Sequence, residues 1–114
     1  MFLEKEVRIL LRGQAKESFL ELKKRKDKEA QSILRSISRI TEILKANPQY
    51  GEPISKELIP EQFKKQGIYN LYRIELSNFW RMLYSLEGDQ VEIFLFVLTI
   101  SDHPRYNKLF GYKK

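Results

Sequence analysis

The spacing of apolar residues changes twice along this chain, and the change limits the folds that it can adopt. Between residues 7 and 12, apolar and other side chains alternate, which predicts a strand with one buried face that ends at Gly13. From Gln14 to Leu44 the apolar residues recur at helical spacing. Aromatic and β-branched residues then dominate from Ile68 to Ile100, as is typical of strands. The sequence therefore predicts an α+β fold.

Two helices are predicted in the first half of the chain. Ala15, Phe19 and Leu22 share one helical stripe, and a second, longer stripe runs from Ala30 to Leu44 after a charged break. Asn47-Pro48 ends the second helix, because the residue before a proline is pushed out of the α region. We expect these two segments to form an antiparallel helix pair.

Three further strands are predicted in the second half, at residues 68–76, 79–86 and 90–100. Glu87-Gly88-Asp89 is a hairpin signal between the last two strands. The run Phe94–Leu98 is apolar at every position, which favours a central strand covered on both faces. Ser101-Asp102 followed by Pro104 is typical of the start of a short helix.

These elements give the order β-α-α-β-β-β-α. We expect the helix pair to pack on a four-stranded, largely antiparallel sheet, with a short C-terminal helix after it. A chain of 114 residues suits one domain, which would span residues 1–114. The loop before the second strand contains Pro53 and Pro60, and its length is compatible with a functional role or with a compact tie across the sheet.

The composition excludes several classes of protein. There is no cysteine, so disulfide frameworks, zinc ribbons and thiol nucleophiles are excluded, and acid–base or electrostatic chemistry remains. No metal or cofactor is expected. No apolar run approaches the roughly 18 residues of a membrane span, and the first residues lack the form of a signal peptide. We therefore expect a cytoplasmic protein without membrane contact.

The chain is basic, with a formal net charge of +6, and most of the excess lies in its first 49 residues. Such an excess favours an anionic partner, of which nucleic acid is the commonest, or an acidic protein. The densest run is formed by Lys23, Lys24, Arg25 and Lys26. This run is compatible with a patch that contacts phosphates and equally with a solvated helix end.

Three stretches together are similar to a known family: GEPISKEL at 51–58, NLYRIELSNFWRMLYSL at 70–86 and SDHPRYNKLF at 101–110. They resemble the loop before the meander, the Tyr/Arg strand followed by Tyr-Arg-Leu-Val-Tyr, and the C-terminal His-x-x-Tyr segment of RelE superfamily toxins. The resemblance to these components of toxin–antitoxin systems, including the YoeB and HigB branches, extends over essentially the full chain.

The resemblance implies an endoribonuclease that cleaves messenger RNA, usually in the ribosomal A site, and that a cognate antitoxin protein silences. The chain differs from RelE itself in lacking a lysine-rich strand, since Tyr72 and Glu75 lie near Arg73. Catalysis is then expected to depend on a histidine–glutamate pair, and ribosome dependence is left open. Two alternatives are a ParE-like toxin that binds a protein such as DNA gyrase, and an inactive member that only binds antitoxin.

RNA cleavage without a metal needs a base for the 2′-OH, cations for the charge on the phosphorane, and an acid for the departing 5′ oxygen. Arg81 is the first candidate cation, because it lies within a strand where an apolar residue would pack better. Its planar guanidinium matches two phosphate oxygens. The alternative is an arginine that only extends from the edge of the sheet.

Arg73 is the second candidate cation, and its use depends on the turn before Arg81. A three-residue loop at 76–78 would place both arginines on one sheet face, whereas a two-residue loop at 77–78 would send them to opposite faces. If they share a face, Glu75 lies there too and would neutralise one of them.

The remaining candidates come from the C-terminal segment and the loop. His103 is the only side chain with an unperturbed pKa near neutrality, and the resemblance assigns it an acid or base role; the alternative is a structural histidine. Tyr106 and Lys108 match family positions for RNA contact or support of the acid. Tyr112 is either a site residue or a core anchor. Glu52 matches the base of a YoeB-like toxin or is an exposed loop carboxylate.

Overall fold

The computed structural model describes residues 6–88 and 91–111. The helices and strands are β1 (Glu6–Leu11), α1 (Gly13–Lys24), α2 (Lys28–Ala46), β2 (Glu52–Pro53), α3 (Glu61–Lys64), β3 (Tyr72–Glu75), β4 (Arg81–Gly88), β5 (Glu92–Ser101) and α4 (His103–Phe110). The predicted α+β class is confirmed. The sheet has five strands in place of the four predicted, because the loop contributes the two-residue strand β2.

The strands lie in the order β1-β5-β4-β3-β2. β1 runs parallel to β5, and the other neighbours are antiparallel. β5 is hydrogen-bonded on both sides, as its apolar sequence predicted. Gln14, in the first turn of α1, exchanges two side-chain hydrogen bonds with the backbone of Ile100, which anchors this helix on β5.

The sheet separates two hydrophobic cores. On one face, α1 and α2 pack on the sheet through residues such as Leu22, Ile33 and Leu44. On the other face, α4 and the loop before β3 pack through a smaller cluster that includes Phe63, Leu83 and Tyr106. The second face is therefore covered by α4 and the loop before β3, and these elements surround the candidate site.

The helix ends follow the chemistry of the sequence. Asp27 caps α2 by accepting a hydrogen bond from the Ala30 amide, and Asp102 caps α4 in the same way from the Arg105 amide. α2 ends before Pro48, as predicted. Within the described ranges, no helix is long and apolar enough to cross a membrane.

The strand predicted at 68–76 is shorter, since only Tyr72–Glu75 is a strand. Asn70 explains part of the difference. Its side-chain amide accepts a hydrogen bond from the Leu86 N–H at 2.7 Å and donates to the Leu86 carbonyl at 3.0 Å. A side chain thus replaces the backbone ladder here, while Ile68 and Leu71 are buried in the smaller core.

Candidate functional site

The connection between β3 and β4 decides how the two candidate arginines lie. Glu75 pairs with Arg81 and Arg73 pairs with Leu83, so the connection comprises residues 76–80. Both loop lengths considered from the sequence are therefore wrong. Because side chains two apart in a strand and directly opposed side chains share a face, Arg73, Glu75 and Arg81 lie on the same face of the sheet.

Arg73 contacts two other predicted site residues, Glu52 and Tyr106. β2 pairs with β3 so that Glu52 lies opposite Arg73, and the two side chains form an ion pair. The hydrogen bond that Arg73 donates to Glu52, followed by one with Tyr106, raises the pKa of Arg73 above its usual value. These three residues line a cavity of about 270 Å³, which is also bounded by Phe110.

Arg81 lies beneath α4 on the same face. Its side chain is 17% exposed, and its Cζ atom is 5.0 Å from the centroid of the Tyr106 ring. One of its nitrogens, Nη2, lies 3.7 Å from a carboxylate oxygen of Glu75, whose side chain is mostly exposed. The other two nitrogens, Nε and Nη1, are buried and have no hydrogen-bond partner among the described residues.

A residue that the sequence did not indicate lies on the same sheet face as this arginine. Leu83 pairs with Thr99 and Tyr84 pairs with Val97, so β5 has a bulge at Leu98. Thr99 therefore shares the face of Leu83, where its buried hydroxyl lacks a partner within the described structure. The apolar run of β5 gives no signal of the bulge, because every position in it fits a strand that is buried on both faces.

His103 does not line the Arg73 cavity. It is exposed at the start of α4, where its Nε2 lies 3.4 Å from the side-chain nitrogen of Asn107. It lines a second cavity of about 540 Å³ with Phe79 and Arg105. Its connection to the arginine face is through the sheet, since Arg81 pairs with Ser101, two residues before His103.

The predicted RNA-contact residues are more dispersed. Lys108 is exposed in the last turn of α4, and Tyr112 lies outside the described residues. Lys23, Lys24 and Lys26 are exposed around the end of α1.

Arg25 differs from its three neighbours in the basic run, because its side chain is engaged within the protein. It makes hydrogen bonds of 2.8 to 2.9 Å to Asp27 and Glu29. These bonds, led by the one to Asp27, raise the pKa of Arg25. Arg25 therefore ties the end of α1 to the start of α2.

The arrangement suits the binding of an anion. Arg73 and Arg81 point from one sheet face, with the Tyr106 ring packed against Arg81 and a carboxylate opposite Arg73. Two buried guanidinium donors and the Thr99 hydroxyl remain to be satisfied. Within the described residues, no three potential ligands of the His, Asp and Glu type gather as a metal site would need.

Comparison with known proteins assigns no family. No protein-family model matches the chain, and no curated protein or solved structure matches it significantly. The function must therefore be inferred from the residues and geometry of the chain itself.

Proposed function

We propose that this protein is a RelE-like toxin, a metal-independent endoribonuclease that cleaves messenger RNA on the ribosome and so inhibits translation. The observation that carries the proposal is the state of Arg81, whose buried Nε and Nη1 donors have no partner within the described structure. Arg73 lies on the same sheet face. The three sequence stretches that resemble RelE superfamily toxins support the choice of reaction and substrate.

A buried donor without a partner costs about 1–3 kcal/mol, so an arginine in this state is poorly explained by stability. Each edge of the guanidinium that fits two phosphate oxygens includes Nη2, so a phosphate would bond to Nη2 of Arg81 together with either Nε or Nη1. Thr99 offers a further hydroxyl on the same face. In this proposal, the guanidinium of Arg81 and the hydroxyl of Thr99 stabilise the negative charge that develops on the phosphorane.

The reaction needs a base, cations and an acid, and the candidate residues supply all three. Glu52, held by Arg73, accepts the proton of the ribose 2′-OH, and the 2′ oxygen attacks the adjacent phosphorus. Arg73 and Arg81 stabilise the phosphorane. The bond from phosphorus to the 5′ oxygen then breaks, and His103 or Tyr106 donates the proton that this oxygen takes. The products are a 2′,3′-cyclic phosphate and a 5′-hydroxyl end.

The proposal implies macromolecular partners and no cofactor. The substrate is messenger RNA held by the ribosome, and the net charge of +6 favours both. A cognate antitoxin protein would silence the enzyme by covering or distorting the arginine face. Lys108 and the exposed lysines near the end of α1 are the proposed contacts to the RNA backbone, and the cytoplasm is the proposed location.

A second candidate follows from two features of the same site. Arg73 and Arg81 each have a carboxylate within 4 Å, and His103 lines a different cavity. Partly neutralised arginines, with the histidine lining another cavity, would suit a ParE-like toxin that binds a protein such as DNA gyrase, or an inactive member that binds only an antitoxin.

Primer extension on a messenger RNA separates these candidates. The RNA is incubated with purified protein, with and without translating ribosomes, beside Arg81→Met and the exposed control Arg39→Met on α2. We expect new 5′ ends with the wild type and with Arg39→Met, and none with Arg81→Met. If neither condition yields ends with the wild type, the nuclease is excluded and gyrase becomes the target to test.

A further inference from the structure

The turn before β4 presents an aromatic ring to solvent. Phe79 is 79% exposed, more than any other large hydrophobic side chain among the described residues. Asn78 and Phe79 have backbone φ angles of 59° and 63°, and the Trp80 N–H donates to the Ser77 carbonyl at 3.2 Å. Two successive positive φ angles define a type I′ turn, in which asparagine suits the first central position and glycine the second.

Phe79 therefore occupies a position that favours glycine. A bulky residue there is strained, at a cost on the order of 1–3 kcal/mol, and such strain persists only where the surroundings fix the backbone. Two serines of α2 do so here. The hydroxyls of Ser32 and Ser77 are hydrogen-bonded at 2.9 Å, and the Ser77 N–H donates to the Ser36 hydroxyl at 3.3 Å. The ring is exposed, so the backbone strain at Phe79 is not offset by burial of apolar surface.

The ring borders the cavity at the start of α4 that His103 lines, which is larger than the Arg73 cavity. This cavity is about 540 Å³ and also contacts Trp80, His103 and Arg105. Pockets for small ligands commonly have volumes of about 300–1,000 Å³, so there is room for a nucleotide base.

The charges around the cavity are mostly paired. Glu29 bonds to Arg25, while Asp102 caps α4 and lies 3.8 Å from Arg105. Glu21 adds one exposed carboxylate. A ligand of this cavity would therefore be held by the aromatic surface more than by charge, and attraction for an anionic chain would come from the arginine face.

We infer that Phe79 is a stacking platform for an unpaired RNA base, next to the phosphate held by Arg81. This inference rests on the proposed function and adds a substrate-contact residue to it. Phe79 and Arg81 are two residues apart, so their Cα atoms are separated by at most about 7 Å. A phosphate on Arg81 leaves the adjoining nucleotide within reach of the ring. Aromatic stacking is a common way of holding single-stranded RNA and tolerates any base.

The test uses a fluorescein-labelled 2′-O-methyl oligoribonucleotide of mixed sequence, which cannot be cleaved because it has no free 2′-OH. Its Kd is measured by fluorescence anisotropy. We expect Phe79→Gly to weaken binding roughly 5- to 100-fold, as for the loss of one base–aromatic stack. The Tm of this variant should be equal or higher, since glycine suits the positive φ. Phe79→Trp should bind as well as the wild type.

Two further variants separate stacking from other effects. Leu20→Ala removes a half-exposed apolar side chain of α1 away from both cavities, and binding should not change. Phe79→Leu keeps an apolar side chain but has no aromatic face, and it should bind as weakly as Phe79→Gly. If Phe79→Leu or Phe79→Gly binds like the wild type, or if the wild type does not bind, the inference is overturned.

The same experiment keeps this inference apart from the proposed function. Binding that depends on Phe79, together with an unmodified messenger RNA that stays intact on incubation with the wild type both with and without translating ribosomes, supports the stacking site and refutes the nuclease. Cleavage of the unmodified RNA, together with binding that does not depend on Phe79, supports the nuclease and overturns the stacking site.

Discussion

At the scale of single residues, Arg81 has opposite expected effects on stability and activity. Methionine has a similar length and needs no hydrogen bonds, so Arg81→Met removes two buried donors without partners. We expect the free energy of unfolding to change by less than about 1 kcal/mol or to increase. Cleavage should fall roughly 100- to 1,000-fold, the usual effect of removing one group that stabilises a charged transition state.

Thermal unfolding and cleavage rates measured on the same samples check this prediction. Arg39→Met is the matched control, because it removes an exposed arginine of α2 and should change neither quantity. A Tm that falls by more than 10 °C with Arg81→Met would instead mean that the arginine is needed for packing beneath α4.

Tyr84 positions the loop that carries Glu52. Its side chain is fully buried, its hydroxyl donates to the Pro48 carbonyl at 2.7 Å, and it accepts from the Gly51 N–H at 2.9 Å. Tyr84→Phe leaves both backbone groups without this partner, so we expect a loss of about 1–3 kcal/mol in urea unfolding. Cleavage should fall too, because Glu52 follows Gly51 directly. A variant as stable as the wild type would refute this role.

The same residue gives an alkaline pH dependence. Burial raises the pKa of Tyr84 to about 12, above its usual value near 10. A raised folded-state pKa means that this contribution to stability is complete below about pH 10 and is lost as the pH rises to about 12. The Tm of Tyr84→Phe should therefore fall less steeply than that of the wild type across this range.

Which residues of the site were predictable is also decided at this scale. Tyr106 was indicated only by the resemblance, whereas Arg73 and Arg81 could be selected from the sequence, because an arginine within an apolar, aromatic strand is unusual. The common face of Arg73 and Arg81 could not be predicted, because it depends on a five-residue connection with two positive φ angles, one of them at Phe79. The position of the unpartnered Thr99 hydroxyl could not be predicted either, because it depends on a bulge for which an apolar strand sequence gives no signal.

At the scale of elements, the junction of α1 and α2 gives an acid-dependent prediction. Asp27 accepts hydrogen bonds from Arg25 and caps α2, and these bonds, led by the one from Arg25, hold its pKa well below the usual range. Such a carboxylate contributes stability above its usual pKa near 4, and the contribution is lost as the pH falls towards the folded-state pKa. Because the group is exposed, the effect should be small.

Asp27→Asn tests the junction, because asparagine is an equally good helix cap but has no charge. We expect the Tm of the wild type to exceed that of the variant at pH 7. The difference should shrink as the pH decreases from 4 to 2. A difference that stays constant over this range would show that the charge of Asp27 contributes nothing.

Elements were predictable where local chemistry determines them. The stripes of α1 and α2, the proline after Asn47 and the cap at Asp102 each act within one turn of helix, so the sequence displays them. β2 has only two residues and forms because Glu52 and Pro53 meet β3, a contact distant in sequence. The late start of β3, at Tyr72 and not at residue 68, depends likewise on Asn70 bonding to another strand.

At the scale of the whole molecule, the predicted arrangement of a helix pair on a sheet is present, with the candidate site on the opposite face. The resemblance to RelE superfamily toxins stays a prediction, because no comparison tests it. The net charge of +6 is a property of the whole chain, and it leaves open which cations contact RNA. Binding measured at several salt concentrations identifies them.

Each phosphate contact with single-stranded RNA contributes about 0.7 to the slope of log K against log salt concentration. If Arg73 and Arg81 hold phosphates, Arg73→Gln and Arg81→Gln should each reduce the slope by roughly this amount, measured by anisotropy between 50 and 300 mM KCl. Lys23, Lys24 and Lys26 are exposed, so their triple change to glutamine separates the two interpretations of the basic run. A slope lower by about 2 would make the run a phosphate-binding patch, because three contacts are lost. An unchanged slope for the lysine variant would mean that the run is a solvated helix end. An unchanged slope for both arginine variants would show that Arg73 and Arg81 do not bind phosphates.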